Sequence, residues 1–470
     1  MNAADLCYMP ATELAARYRD RSISPVEVVD AVLRRIETLD PRLNALVFPL
    51  ADEARAQARQ AEQAIMRGDV LGAMHGIPLT IKDTQHLTGH PTQIGSPSRK
   101  GLVSTFTAPQ AQRMIDAGAI VIGKTTTPEF GWKGVSESPL TGITHNPWKQ
   151  GMNAGASSAG AAVAAAAGYA PLNQGGDGAG SIRMPAHFSG VYGLKPTYGR
   201  VPNYPPPASD HTVHNGPLTR TVADSALMLK TMAGPHPWDM HSLESPPADY
   251  TGRLHEPLGM PKIAFSADLG HARVDPEVAE IVAAAVKRFE QDLKLPVTQI
   301  TPDWGPRGPE LIRYFWPAHF TQYAALLERS PGQMDQGLAA CIREGLETRV
   351  SEYVQKRIAK QDYCLAIHRS FEDWDFLLTP AVSVAAFPAD RLQPAHWPQH
   401  DWDWIMWAEF SYPFNMSGNP AASIPCGFTK DGLPVGLQIV GRRFDDLGVL
   451  KLSALFEAAQ PWADKRPPLD

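Results

Sequence analysis

Apolar positions near the start of the chain recur at helical spacing. In SISPVEVVDAVLRRIETLDP, Val28, Val32, Leu33 and Ile36 share one helical face. Ser24 stands as N-cap, Pro25 suits the first helical position and Glu27 completes a capping box. Residues 1–70 read as helices throughout. The pattern then changes: GIPLTIKD (76–83) and GAIVIGKTT (118–126) are short apolar runs opened by glycine, and both predict buried strands. APQAQRMIDAG between them predicts a helix, so strands and helices alternate. AGAAVAAAAG (159–168) predicts a thin alanine helix that can pack closely. Proline-rich stretches at 201–217 and 234–262 read as long surface connections. DPEVAEIVAAAVKRFEQDL (275–293) is an amphipathic helix opened by Asp275 and Pro276, and 308–372 is mostly helical in pattern. FLLTPAVS, AASIPCG and LPVGLQIVG predict further strands, and GVLKLSALFEAA a closing helix. This order predicts one mixed α/β body with a helical insertion over it.

Charge narrows the partners. Lys and Arg total 43 against 49 Asp and Glu, a net charge of −6, which gives no reason to expect nucleic acid or an anionic membrane. Cys7, Cys341, Cys364 and Cys426 lie far apart with no CxxC pair, so neither a zinc knuckle nor a disulfide framework is expected. No apolar run reaches the roughly 18 residues of a membrane span, and the N-terminus lacks a basic segment followed by an apolar one. A cytoplasmic protein is the expectation.

The candidate chemistry lies in QGGDGAGSIRMPA, Gln174 to Ala186. A glycine-rich loop exposes backbone N–H groups, which can bind a phosphate or the oxyanion of an attacked acyl carbon. This segment lacks both GxGxxG and GxxxxGK[ST], and Ser181 stands at its end as a nucleophile should. Serine needs a base. The elbow GxSxG and the motif SxxK are absent, and none of the 15 histidines is singled out by its context. His187 has no evident carboxylate partner, and His211 with His214 are too few for a metal site. A neutral lysine remains. Lys82 and Lys124 both end apolar runs, and burial lowers a lysine pKa of about 10.4 by up to 3–5 units. Periodicity does not choose between them. In NAGASSAGAA, Ser157 and Ser158 read either as a helix cap or as a proton relay to Ser181.

GIPLTIKD, GASSAGAAVAAAAG and GGDGAGSIRMPAHFSGVYGLKPTYGRVP together resemble the amidase signature family. GKTTTPEFGWKGVSESPLTGITHNPW, FNMSGNPAASIPCGF and LPVGLQIVGRRF extend the resemblance over nearly the whole chain. It implies an α/β fold: a single body over 1–470 with a large mixed β-sheet flanked by helices on both faces. It also implies an N-terminal helical segment at 1–70 and a variable, substrate-covering helical region at about 235–400. It implies a Ser-cisSer-Lys triad, which selects Lys82 as base, Ser157 as bridging serine after a cis Ala156–Ser157 bond, and Ser181 as nucleophile. The oxyanion N–H groups are then those of Gly178, Ala179, Gly180 and Ser181. Ser158, Asp177 and Arg183 fall on family positions that support the loop, although on their own Asp177 and Arg183 also read as a surface ion pair. Neither a cofactor nor a metal is implied, and a homodimer is expected by analogy.

The chain departs from the family pattern at Ala156, Gly176 and Ala179, where Gly, Thr and Gly are usual. The aromatic segment HWPQHDWDWIMWAEFSYPF (396–414) and RYFWPAHF (313–320) read either as a substrate wall or as core packing. Phe130, Trp132, Trp316, Trp404 and Trp407 are the candidate substrate contacts. An aromatic rather than cationic pocket favours a small-molecule amide that is neutral, bulky or aryl, with ester or carbamate cleavage in reach. The alternative within the family is the glutamine-hydrolysing subunit of a tRNA-dependent amidotransferase, which needs partner subunits and a charged pocket.

Overall fold

A computed structural model describes residues 2–208, 211–330 and 332–469. Its centre is an 11-stranded mixed sheet in the order β1-β3-β2-β6-β8-β7-β12-β13-β11-β9-β10. The strands are β1 (Leu46–Pro49), β2 (Pro78–Lys82), β3 (Ile120–Thr125), β6 (Leu172–Asp177), β7 (Tyr192–Lys195), β8 (His214–Thr219), β9 (Ile263–Phe265), β10 (Val297–Gln299), β11 (Phe376–Pro380), β12 (Ala421–Phe428) and β13 (Pro434–Gly441). A separate short hairpin joins β4 (Glu137–Ser138) to β5 (Gly142–Ile143).

β2 runs parallel to β3 on one side and to β6 on the other. Parallel strands bring their C-terminal ends to one edge, where α/β folds place their ligands. The continuous apolar runs of β2 and β3 explain this position, since every residue of both strands is buried. Ser24 accepts from Val26 N–H and Glu27 closes the capping box, as the spacing predicts for the helix Pro25–Leu43. The alanine helix Ala159–Ala167 is buried along its whole length. At Gly160 a Cβ would lie 2.1 Å from Ala45 O, so only glycine lets this helix approach so closely.

Three expectations need correction. Residues 46–49 are not helical: they form β1, an edge strand paired antiparallel to β3. The run is too short to show a period. The glycine-rich segment is only partly a loop, because Leu172–Asp177 is the buried strand β6. Residues 214–219 are not a surface connection but the buried strand β8, antiparallel to both β6 and β7. Glycine and proline there hid it from a propensity reading.

Helices Gly308–Phe320, Gln336–Leu346 and Val350–Asp373 carry a second apolar cluster with the tryptophans of 397–407. The stretch around 235–400 also supplies β9, β10 and β11 to the sheet. No helix among the described residues is long and apolar enough to cross a membrane.

Candidate active site

Lys82 is the last residue of β2 and is buried at the sheet's C-terminal edge. Its Nζ donates to Ser157 Oγ at 2.7 Å, to Ser158 Oγ at 3.0 Å and to Gly176 O at 3.4 Å. Burial pushes its pKa down to about 7, against the opposing pull of the Asp177 carboxylate. Lys124, the rival candidate, is also buried, but it forms an ion pair with Asp83 at 2.9 Å and donates to Pro91 O and Thr92 Oγ1. It is a tie between strand β3 and the 83–92 segment. The letters GxxxxGK[ST] do occur at Gly118–Thr125, yet residues 120–125 are strand β3, whose N–H groups serve the sheet rather than a phosphate.

Ser157 follows a cis Ala156–Ser157 peptide bond. Ala156 is fully buried there, so its Cβ fits beside that bond. Ser158 precedes the helix Ala159–Ala167 but does not cap it with its side chain. Its Oγ donates to Gly176 O at 3.0 Å and accepts from Gly176 N–H at 3.2 Å and from Lys82. Its N–H donates to Ser181 O at 3.1 Å. Ser158 thus ties β6, the lysine and the Ser181 loop together, and Gly176 takes part through its backbone alone.

Ser181 and Ser157 line the same cavity of about 470 Å³ as Lys82. Among the described residues no hydrogen bond joins the two serine hydroxyls. The loop between β6 and Ser181 is held by Asp177, whose carboxylate accepts the N–H of Gly180 at 2.7 Å and of Ile182 at 3.1 Å. Gly180 therefore leaves the set of candidate oxyanion donors. The N–H groups of Gly178, Ala179 and Ser181 make no hydrogen bond among the described residues.

Asp177 and Arg183 are not a surface pair. Both are fully buried, with Arg183 Nη2 2.9 Å from Asp177 Oδ1 and Nε 3.0 Å from Oδ2. Arg183 also donates to Ser411 O and Gln438 Oε1, while Asn415 Nδ2 donates to Asp177 Oδ1. Arg183 holds the Asp177 carboxyl well below the usual carboxylate range, overcoming its burial. Arg183→Met leaves that carboxylate buried without its cation and is expected to cost about 3–5 kcal/mol of stability. Urea denaturation of the variant checks this.

His187 stands apart from the cavity. Nδ1 accepts from Gly436 N–H, Nε2 meets Val384 O, and burial pushes its pKa down to about 4, so it is a neutral structural tie.

The aromatic candidates divide. Phe130 and Trp316 line the cavity with Phe320 and Tyr323, and the Phe130 and Tyr323 rings stack at 3.9 Å. Trp132, Trp404 and Trp407 do not line it: they are buried one layer behind. Trp404 and Trp316 both donate Nε1–H to Trp132 O, at 2.8 and 3.0 Å, so the inner layer fixes the ring that faces the cavity. The 396–414 aromatics are thus core, and 313–320 supplies the wall. Pro205–Pro207, Val213, His86 and Arg99 also line it and escaped the sequence reading, since they lie in segments without a motif.

The sequence profile of the Amidase family matches residues 27–450. The chain belongs to the amidase signature family. It is 37% identical over 475 residues to an acylamidase of Rhodococcus erythropolis, covering 99% of this chain and 98% of that one. It is 32% identical over 491 residues to one of the subunits of a glutamyl-tRNA(Gln) amidotransferase from a Cyanothece species, covering 97% and 99%. A bacterial aryl acylamidase of known structure superposes with a TM-score of 0.89 at 28% identity, covering 97% of each chain. Like other amidase signature proteins, the chain is a hydrolase acting on amide C–N bonds, and its large mixed sheet is the family's fold.

Proposed function

We propose that the protein hydrolyses neutral, bulky or aryl amides through a Ser181 acyl-enzyme, with Ser157 as proton relay and Lys82 as base. The observation that carries this reading is the buried Lys82 Nζ, 2.7 Å from Ser157 Oγ, in a cavity that Ser181 also lines. With a pKa near 7, a large fraction of Lys82 is neutral at physiological pH and able to accept a proton. Substrate binding closes the contact between the two serine hydroxyls, as catalytic hydrogen bonds tighten in the bound complex. Lys82 takes the Ser157 proton, Ser157 takes that of Ser181, and Ser181 Oγ attacks the amide carbon. The N–H groups of Gly178, Ala179 and Ser181 receive the oxyanion, each good donor contributing roughly 3–4 kcal/mol to the transition state. Ser157 returns its proton to the departing nitrogen, and water then frees the carboxylic acid from Ser181.

The wall of Phe130, Trp316, Phe320 and Tyr323 suits a flat apolar group. The acylamidase and aryl acylamidase relatives support the same substrate class. The amidotransferase relatives raise the glutaminase alternative. Against it, Asp177 is the one carboxylate among the described cavity residues, and Arg183 already holds it, so the α-ammonium group of glutamine finds no partner.

The test is labelling with a fluorophosphonate, followed by mass mapping, and a panel of anilides, primary amides, p-nitrophenyl esters and carbamates. The adduct is expected on Ser181, and kcat/KM is expected to be higher for anilides than for short aliphatic primary amides. Labelling elsewhere, or turnover of glutamine alone, overturns the reading. Trp316→Ala is expected to raise KM for anilides about 10-fold through lost ring contact, which steady-state kinetics on the same panel checks.

A further inference from the structure

The wall does not close the whole cavity. Besides Phe130 and Tyr323, the lining includes His86 and Arg99 from the segment that follows β2. Gln85, Asn203 and Asn215 also line the cavity, but they satisfy one another: Gln85 Nε2 donates to Asn215 Oδ1 at 3.2 Å and Asn215 Nδ2 to Asn203 Oδ1 at 3.1 Å. His86 and Arg99 are different. Ser104 Oγ holds His86 Nδ1 at 2.9 Å and Phe106 stacks on its ring at 4.3 Å, which fixes the ring and leaves Nε2 without a partner among the described residues. Arg99 is half-buried, and its Nε makes a long contact of 3.4 Å with Thr92 O. No carboxylate among the described residues pairs with its guanidinium. The charge is felt locally, since Arg99 opposes protonation of His86 and favours ionisation of Tyr323.

We propose that Arg99, aided by His86, is the anion-binding end of the active cavity and selects amides that carry a carboxylate away from the scissile bond. The proposal rests on the amide-hydrolase reading and revises its substrate class: the aryl group against the wall stays, and the substrate is anionic rather than neutral. A neutral aromatic portion lies against Phe130 and Tyr323, and the carboxylate meets a guanidinium that offers a planar fork of donors. In a half-buried site, such a charge-assisted contact is screened less than a fully exposed one. The one carboxylate of the described lining, Asp177, is held by Arg183, so none is free to oppose it.

Two substrate pairs test this. Glutaryl-p-nitroanilide is compared with pentanoyl-p-nitroanilide, which places the charge on the acyl side. A 4-(acylamino)benzoate is compared with the matching p-toluidide, which places it on the leaving group. In at least one pair the carboxylate is expected to raise kcat/KM about 10-fold or more. Arg99→Gln is expected to bring that ratio close to one, mainly through KM, and Arg99→Lys to keep part of it. The ratio should also shrink as salt is added. Wild-type ratios at or below one in both pairs, or a ratio unmoved by Arg99→Gln, would overturn the proposal. A turnover-free readout separates it from the wider reading: 4-phenylbutyrate should protect Ser181 from a fluorophosphonate better than 4-phenylbutanol does, in wild type but not in Arg99→Gln. If no anilide is cleaved, the assigned substrate class fails, and protection still decides the role of Arg99.

Discussion

Ser181→Ala is expected to lower kcat/KM by about 10⁴- to 10⁶-fold, the range found when the nucleophile of an acyl-transfer machine is removed. The folded state should survive. The Ser181 contact that supports the loop is its backbone carbonyl, which accepts from Ser158 N–H, and alanine keeps it. Asp177 holds the loop through Gly180 and Ile182 N–H, and Arg183 through Asp177, independently of the hydroxyl. Thermal unfolding should therefore shift little while turnover collapses. Ser157→Ala combined with Ser181→Ala should be no slower than Ser181→Ala alone, because a relay without a nucleophile has nothing to deliver. A double mutant that loses a further large factor would mean that Ser157 does its own chemistry. Retained turnover in Ser181→Ala would place the attacking atom elsewhere.

The parts of this site that were readable from sequence are those whose chemistry is local. Lys82, Ser157 and Ser181 each sit in a short motif, and the strand before Lys82 is visible as an apolar run. What joins them is not local. Asn415 reaches Asp177 across 238 positions and Gln438 reaches Arg183 across 255, distances over which no spacing rule operates. Ser158 reads as a helix cap, because a serine before alanines has that form. Its hydroxyl goes instead to β6 and Lys82, a choice only the fold makes. Apolar pattern likewise marks Trp316 and Trp404 as buried without saying which faces a cavity and which stands behind it. The edge strand β1 and the glycine- and proline-bearing strands β6 and β8 went unread because pairing partners, rather than propensity, make them strands. The same holds for His86 and Arg99, whose meaning comes from the cavity they line.

Removing the base should separate catalysis from stability. Lys82→Met is expected to lower kcat/KM by about 10²- to 10⁴-fold, the usual range for a general base. In wild type, kcat/KM should rise with pH through about 7 and then level, because the deprotonated amine accepts the proton and its fraction grows as pH passes that pKa. The variant should lose that limb, and Lys82→Arg, which stays charged, should be at least as impaired. Stability should move the other way. The folded-state pKa of Lys82 lies near 7 and the unfolded value near 10.5, so between these pH values the unfolded chain binds more protons. Wild-type stability should then rise with pH across that window, and the cost of the buried ammonium should be fully present below it. Lys82→Met removes this dependence, so its stability relative to wild type should be greatest at low pH and decline toward pH 10. Urea midpoints measured across that range read the slope. A pH profile that keeps its acid limb in Lys82→Met would assign the titrating base to another residue.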